Sequence, residues 1–300
     1  MNFSSPFRVG ILVTERCGAG CAHCWFNCIL DAGMTVTKYD AENYIDAVVK
    51  LPSVKLISFT GGEPMLYPKL VEELIAYASG YGLKTELVTN CEWAETIEQT
   101  TEVLGKLRDA GLVVLNLSAD DFHQSKIPLE RVRNCYVAAK RLEIKMVVMT
   151  SLSRSSRLKL VNIAEFFGDD IPVPFLADPS RDAVIGIESG FIPVGRGAFI
   201  PKEELLLNDA KLEGFCGEVL SDIGVKPNGD VLACCSACSV LPAFSIGNLK
   251  NSGLSEILDK AKSKELFRIL KESGPAGFAS ASNDRYVSKC HLCYEIIKKL

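Results

Sequence analysis

The chain has 300 residues, of which 48% are hydrophobic, and this composition supports a large core and excludes a disordered chain. Its 33 basic and 37 acidic residues give a net charge of −4 without a basic cluster, which argues against a nucleic-acid partner. No apolar stretch reaches the roughly 18 residues of a membrane-spanning helix, and the first residues lack a signal-peptide pattern. We therefore expect a cytoplasmic protein without a membrane partner.

Short apolar segments alternate with longer amphipathic segments over the first two thirds of the chain. The apolar segments are rich in Val, Ile and Leu, as buried parallel strands are, and lie at Arg8–Thr14, Lys55–Phe59, Lys84–Val88, Leu112–Ser118, Ile144–Thr150 and Val184–Phe191. The amphipathic segments predict helices at Tyr39–Leu51, Tyr67–Ser79, Trp93–Ala110, Leu129–Leu142 and Leu158–Phe167. Six strand–helix units predict an α/β fold with a parallel sheet, a partial (β/α)6 barrel rather than the closed eight-unit form.

The pattern changes after about residue 200. Two short segments, Asp222–Lys226 and Asp230–Cys234, predict strands, and the Asn-Gly pair within Pro227-Asn228-Gly229 is typical of a hairpin turn between them. A helix is predicted at Leu254–Lys271 and a polar loop at Gly274–Asp284.

The twelve cysteines are spread unevenly along the chain, with four in residues 17–28 and six in residues 216–293. Without a secretion signal, closely spaced thiols more often bind metal than form disulfides. We expect two metal-binding regions and two domains, a barrel over residues 1–199 and a small cysteine-rich domain over residues 200–300.

The loop after the first strand contains Cys17, Cys21 and Cys24 with the spacing C-x3-C-x2-C. Three thiolates surround one metal centre only if the loop wraps tightly, and Gly18 and Gly20 give its backbone that freedom. Thiolates favour zinc or the irons of an iron–sulfur cluster. Because structural zinc sites usually have four ligands, three thiolates favour a cubane cluster with one open iron, and a zinc loop is the alternative.

A second motif, formed by Gly61, Gly62, Glu63 and Pro64, ends the second strand. Its two glycines let the backbone approach a ligand closely, and Glu63 offers an acceptor for an ammonium group. In barrel-like folds the chemistry lies at the carboxyl ends of the strands. The motif therefore predicts a cofactor-binding segment, and an ordinary turn is the alternative.

With these two motifs the sequence resembles the radical S-adenosylmethionine (SAM) superfamily. The resemblance implies that Cys17, Cys21 and Cys24 hold a [4Fe–4S] cluster, whose open iron binds SAM, and that Gly61–Pro64 contacts the SAM amino group. It implies a partial barrel of the radical SAM type and reductive cleavage of SAM to a 5′-deoxyadenosyl radical, which abstracts hydrogen from a substrate. An electron donor such as flavodoxin or ferredoxin is an expected partner.

Two further residues are predicted SAM contacts. Ser118 ends the fourth strand, where enzymes of this family often touch the SAM ribose or carboxylate. Arg196 lies in Gly195-Arg196-Gly197, which resembles a Gly-Arg-Ala sequence of the family, and would form a bidentate pair with the SAM carboxylate. A serine that caps a strand and a surface arginine are the alternatives. His123, near the end of the fourth strand, is predicted to be a solvated loop residue.

The later cysteines resemble the auxiliary-cluster domains called SPASM and twitch. Cys216, Gly229 and Cys234 follow a C-x12-G-x4-C pattern, and Cys290 and Cys293 form a pair. The resemblance implies that these four cysteines bind an auxiliary [4Fe–4S] cluster without a substrate site, and a four-thiolate zinc site is the alternative. The full SPASM pattern has seven cysteines and this region has six, so the twitch form with one auxiliary cluster fits better.

Cys235 and Cys238 remain outside this pattern. In peptide epimerases of the family a cysteine returns a hydrogen atom to the substrate radical, because an S–H bond is weak, and Cys235 is the predicted catalytic residue for that step. It is also an alternative cluster ligand. For both cysteines the alternative is a buried, inert thiol.

The resemblance leaves three functional hypotheses open. Auxiliary-cluster enzymes of this type modify ribosomally made peptides, and epimerisation is the reaction we expect. A small-molecule dehydrogenase that passes an electron to the auxiliary cluster is the second hypothesis, and a non-catalytic zinc-binding scaffold is the third. Because the first predicted strand begins at Arg8, the sequence favours an enzyme without an N-terminal leader-recognition or cobalamin-binding domain.

Overall fold

A computed structural model describes residues 6–174, 183–208, 212–278 and 285–300. Six parallel strands lie side by side in the order β6-β5-β4-β3-β2-β1. They are β1 (Arg8–Thr14), β2 (Leu56–Gly61), β3 (Lys84–Thr89), β4 (Leu112–Ser118), β5 (Lys145–Leu152) and β6 (Val184–Gly190). All six predicted strands are present close to their predicted positions, and the partial-barrel prediction is confirmed.

Helices connect these strands and cover one face of the sheet. They are α1 (Lys38–Val49), α2 (Pro68–Gly80), α3 (Ile97–Ala110), α4 (Asp121–Gln124), α5 (Leu129–Arg141) and α6 (Leu160–Phe167). Helix α3 begins at Ile97 rather than at Trp93, because the Thr96 side chain accepts the Gln99 N–H and caps the helix there. In the described part of the chain, no helix has the length and apolar character needed to cross a membrane.

The two faces of β1 have different roles. Val9, Ile11 and Val13 are fully buried in the main core with apolar residues of α1, which follows from the two-residue alternation of a strand. Gly10 faces the other side, where Cys235 lies. The sheet therefore separates a hydrophobic core from an inner face that is open to functional side chains.

Three further strands extend the same sheet beyond β1. They are β7 (Asp222–Val225), β8 (Asp230–Leu232) and β9 (Ser245–Asn248), and the last was not predicted. Strand β7 pairs in parallel with β1, and β8 is antiparallel to both β7 and β9. Gly229 has φ = +93° at the predicted hairpin turn. The nine strands thus form one sheet across the predicted domain boundary at residue 199.

The single helix predicted at Leu254–Lys271 is wrong. Two helices occupy this stretch, α7 (Leu254–Lys262) and α8 (Glu265–Ser273), separated by Lys264 in an extended conformation. The break lets Phe267 pack edge-on against Phe244, with ring centroids 5.8 Å apart.

The predicted polar loop is described only in part. Its first residues form a short 3-10 helix at Pro275–Phe278, and residues 279–284 lie outside the described residues. Helix α9 (Lys289–Ile297) follows, with Ser288 as its N-cap, and carries the last two cysteines. The sequence patterns did not predict this helix.

Candidate functional site

The loop after β1 brings the first three cysteines together. Cys17, Cys21 and Cys24 all line a cavity of about 410 Å³ at the carboxyl ends of the strands, which we call the central cavity. Cys28 lines it as well, and a hydrogen bond from the Cys28 thiol lowers the pKa of Cys24 to about 5. Cys28, four residues after Cys24, is predicted from the sequence to be mainly structural, and its contact with Cys24 was not predicted.

The Gly-Gly pair holds the end of β2 against this loop. Gly62 N–H donates to the Thr14 carbonyl at 2.7 Å, and Glu63 N–H donates to the Arg16 carbonyl at 2.8 Å. A Cβ at Gly61 would lie 2.2 Å from the Thr14 oxygen, and one at Gly62 would lie 2.1 Å from the Arg16 oxygen. Both positions therefore require glycine, and both glycines also line the central cavity.

The Glu63 side chain links the end of β2 to the end of β3. It is 2% exposed, and its carboxylate accepts bonds from Met65 N–H at 3.0 Å, the Thr89 hydroxyl at 2.9 Å and Asn90 N–H at 2.8 Å. Burial raises the pKa of this carboxyl to about 7, against the effect of these donors. These bonds fasten the end of β2 to the end of β3, and a contact of Glu63 with a ligand stays a prediction. Pro64 is buried and begins a short 3-10 helix.

Arg196 binds the opposite side of the cysteine loop. Its Nε donates to the Cys21 carbonyl at 2.8 Å, its Nη1 to the Cys28 carbonyl at 2.9 Å, and its backbone N–H to the Cys24 carbonyl at 3.0 Å. Gly195, at φ = +59°, packs against the same loop. Arg196 lines the central cavity, but two of its side-chain donors already hold the loop in shape.

The end of β4 supplies polar groups to the central cavity. Ser118 lines it, as the prediction for a SAM contact requires. His123 is not the predicted solvated residue, because its side chain is only 16% exposed and its Nδ1 lies 2.9 Å from Asp120 Oδ1. Burial lowers the pKa of His123 but the Asp120 carboxylate raises it, with a net rise to about 10. His23 stands edge-on to this ring, with centroids 5.1 Å apart.

The Asp120–His123 pair was not predicted from the sequence, although the spacing of the two residues indicates it. Asp120 is the N-cap of the short helix α4 and accepts the His123 backbone N–H at 2.9 Å. An aspartate three residues before a histidine has the spacing of a helix cap and its partner. Ligand atoms of His23, Asp120 and His123 lie within 4.8 Å of one another, so the three residues form one polar cluster.

Cys235 lies in the central cavity, far in sequence from the first cysteines. A Cβ at Gly10 would come within 3.1 Å of Cys235 Sγ, and one at Gly224 within 3.5 Å. These two glycines are paired across β1 and β7 and form the slot for the Cys235 side chain. The thiol donates to the Asp222 carboxylate, and burial together with that charge raises the pKa of Cys235 well above its usual range.

A second cavity of about 250 Å³, which we call the auxiliary cavity, is lined by all four cysteines predicted to bind the auxiliary cluster. Cys216 is held by its N–H, which donates to the Leu270 carbonyl at 2.9 Å. Cys234 follows β8, while Cys290 and Cys293 lie on one face of α9 at i and i+3. These four thiols fit a closed cubane cluster or a zinc ion.

Comparison with known protein families agrees with this arrangement. A model of the Radical SAM superfamily matches residues 11–163, and a model of the SPASM iron–sulfur cluster-binding domain matches residues 216–294. The first runs from β1 through the cysteine loop into the first residues of α6, and the second covers the cysteines that line the auxiliary cavity.

Similar proteins and structures span most of the chain. The YydG protein of Bacillus subtilis, named for peptide biosynthesis, is 22% identical over 89% of this chain and 81% of its own length. The PqqA peptide cyclase of Bradyrhizobium diazoefficiens is 32% identical over 39% of this chain and 29% of its own length. The structure of BtrN with AdoMet and 2-DOIA covers 98% of this chain and 92% of that one, with 15% identity and a TM-score of 0.57. The structure of Streptococcus suis SuiB bound to the precursor peptide SuiA covers 97% of this chain and 71% of that one, with 16% identity and a TM-score of 0.57.

The residues present fit the cofactors that these families bind. The thiols of Cys17, Cys21 and Cys24 beside a cavity fit a [4Fe–4S] cluster with one open iron and SAM next to it, and the four predicted thiols around the auxiliary cavity fit an auxiliary [4Fe–4S] cluster. The chain therefore belongs to the radical SAM superfamily and carries a SPASM iron–sulfur cluster-binding domain.

Proposed function

We propose that this radical SAM enzyme epimerises a residue of a ribosomally made peptide, with Cys235 as the hydrogen donor. The observation that carries the proposal is that the Cys235 thiol lines the same cavity as Cys17, Cys21 and Cys24. A donor must reach the carbon from which hydrogen was taken, and a shared cavity provides that access.

Several residues of the chain would bind the cofactors in this enzyme. Cys17, Cys21 and Cys24 would hold the SAM cluster, with Ser118 and the Gly61–Gly62 backbone beside SAM. Bound SAM supplies the 5′-deoxyadenosyl radical that removes hydrogen from the substrate. A flavodoxin or ferredoxin would supply the electron, and residues 1–199 would form the catalytic barrel.

The surroundings of Cys235 suit hydrogen-atom donation. Its raised pKa keeps the thiol protonated at neutral pH, so the S–H bond is present when a substrate radical forms. In the donation step the S–H bond breaks, a C–H bond forms on the α-carbon, and a thiyl radical remains. One electron from the protein donor and one proton regenerate the thiol.

The comparisons support a peptide substrate. YydG and the PqqA cyclase are named for peptide chemistry, and the SuiB structure contains its precursor peptide. The structure of anSMEcpe with AdoMet and the Cp18Cys peptide also covers 98% of this chain, with 13% identity and a TM-score of 0.53. The fold of these two peptide-bound proteins thus extends over the parts of this chain that form both cavities.

A small-molecule dehydrogenase is the second candidate. The BtrN structure with AdoMet and 2-DOIA matches nearly the full length of both chains, which favours the small-molecule hypothesis. Such a reaction removes two hydrogens from the substrate and needs no thiol donor. The position of Cys235 in the central cavity argues for epimerisation instead.

Heavy water separates the two candidates. The anaerobically purified enzyme is incubated with SAM, a reductant and candidate peptides in heavy water, where the Cys235 thiol exchanges its proton for deuterium. Epimerisation predicts one deuterium at an α-carbon and inversion of that residue. A product two mass units lighter would indicate dehydrogenation, and colourless protein that contains zinc would refute the radical chemistry.

A further inference from the structure

The auxiliary cavity contains one thiol more than a single cubane cluster needs. Besides the four predicted ligands, Cys238 lines this cavity and is 1% exposed. A cubane binds four thiolates, one to each iron. Five thiols around one cavity therefore leave either one surplus residue or two residues with the same role.

Contacts identify Cys293 as the partner of the surplus thiol. The Cys238 thiol is hydrogen-bonded to the Cys293 side chain and also lies 3.7 Å from the Cys290 carbonyl oxygen. The short 3-10 helix at Ala237–Val240 that carries Cys238 packs against helix α9, which carries Cys293. Cys235, three residues earlier, lines the central cavity instead.

Cluster geometry limits what these two thiols can do. Thiolates on different irons of a cubane point outward from different corners, so an iron–iron edge and two iron–sulfur bonds separate them. Two thiols within hydrogen-bond distance of each other are too close for that arrangement. They can, however, reach the same iron in turn.

We propose that Cys238 and Cys293 share one ligand position of the auxiliary cluster, so that either thiol can fill it. The cluster then keeps four thiolate ligands when one of the pair is lost. The inference rests on the auxiliary [4Fe–4S] cluster but not on the reaction or on the peptide substrate.

Iron and sulfide analysis of anaerobically purified variants tests the shared position. Cys238→Ala and Cys293→Ala should each retain about eight irons per chain, the content of two cubanes. The double variant should lose about half of this iron and the auxiliary-cluster signal in electron paramagnetic resonance. If either single variant falls to the level of the double variant, the proposal is wrong.

Two controls keep the result specific. Cys235→Ala combined with Cys293→Ala should behave as Cys293→Ala alone, because Cys235 lines the other cavity. In every variant, a SAM-dependent change in the spectrum of the first cluster shows that the barrel has folded. Retention of about eight irons in the double variant at positions 238 and 293 would likewise overturn the shared position.

These readouts need no substrate. A wrong assignment of the reaction would leave the iron content of all variants unchanged, while a wrong assignment of Cys238 would appear in iron content alone. The two proposals can therefore fail independently.

Discussion

Cys234 and Cys235 are consecutive in the chain, yet their thiols line different cavities. Cys234 lies in the auxiliary cavity with Cys216, Cys290 and Cys293, and Cys235 lies in the central cavity. The short segment after β8 thus forms part of the wall between the two sites. Substitutions at these neighbouring positions should consequently have separable effects.

Cys235→Ala should leave both clusters in place and abolish the returned hydrogen. Because the variant still allows hydrogen abstraction, SAM cleavage should continue while α-carbon deuterium falls by about 100-fold or more, the lower end of the effect of removing a positioned proton-transfer group. Mass spectrometry of the peptide together with iron analysis measures both quantities. Unchanged product at an unchanged rate would show that Cys235 is not the donor.

Cys234→Ala provides the matched comparison. This change removes a thiol from the auxiliary cavity, so the iron content should fall by about half while the SAM cluster remains. A variant that retained both clusters would contradict the placement of Cys234 among the ligands.

Gly10→Ala should displace the donor thiol without removing it. The new methyl group would lie 3.1 Å from Cys235 Sγ, so the thiol must shift by a few tenths of an ångström. Misplacement of a reacting group by about 1 Å can cost up to about 100-fold in rate, and a measurable loss of product is expected. Gly105→Ala is the control, since nothing lies within 4 Å of its added carbon.

Gly62→Ala should prevent assembly of the first cluster. Its Cβ would lie 2.1 Å from the Arg16 carbonyl oxygen, so the loop that carries Cys17 must move away from β2. Iron should fall to about four per chain, with the auxiliary cluster retained. Gly80→Ala places its carbon in open space and should keep both clusters. Equal iron content in the two variants would refute the role of Gly62.

Arg196→Ala distinguishes a loop anchor from a SAM ligand. Loss of the bonds to the Cys21 and Cys28 carbonyls should loosen the loop and speed loss of the first cluster to an iron chelator. If Arg196 instead binds mainly the SAM carboxylate, the cluster should persist unchanged while SAM affinity falls. Chelation kinetics and equilibrium binding of SAM measure the two effects.

The yield of α-carbon deuterium should remain level as pH rises from about 7 to 9. An ordinary cysteine, with a pKa near 8.5, loses more than half of its protons by about pH 9. Burial and Asp222 raise the pKa of Cys235, so its thiol form persists to higher pH. A yield per abstraction that drops with a midpoint near pH 8.5 would contradict this protected environment.

The sequence by itself determined the family, the strand order along the chain and the grouping of the cysteines. Cys17, Cys21 and Cys24 lie within eight residues, so their spacing already predicts that the three thiols lie at one site. The parallel strands were equally recognisable, because each is a short run rich in Val, Ile and Leu between amphipathic segments. The break between α7 and α8 was not, since it depends on packing of Phe267 against Phe244.

Only the tertiary structure decided which cavity each isolated residue faces. Cys235 and Gly10 are separated by more than two hundred residues and meet because β7 pairs with β1. Glu63 likewise accepts hydrogen bonds from Thr89 and Asn90 at the end of β3, which its position in the sequence did not predict. Contacts between distant segments depend on strand pairing and on the direction of each side chain, and neither is encoded in the local spacing of residues.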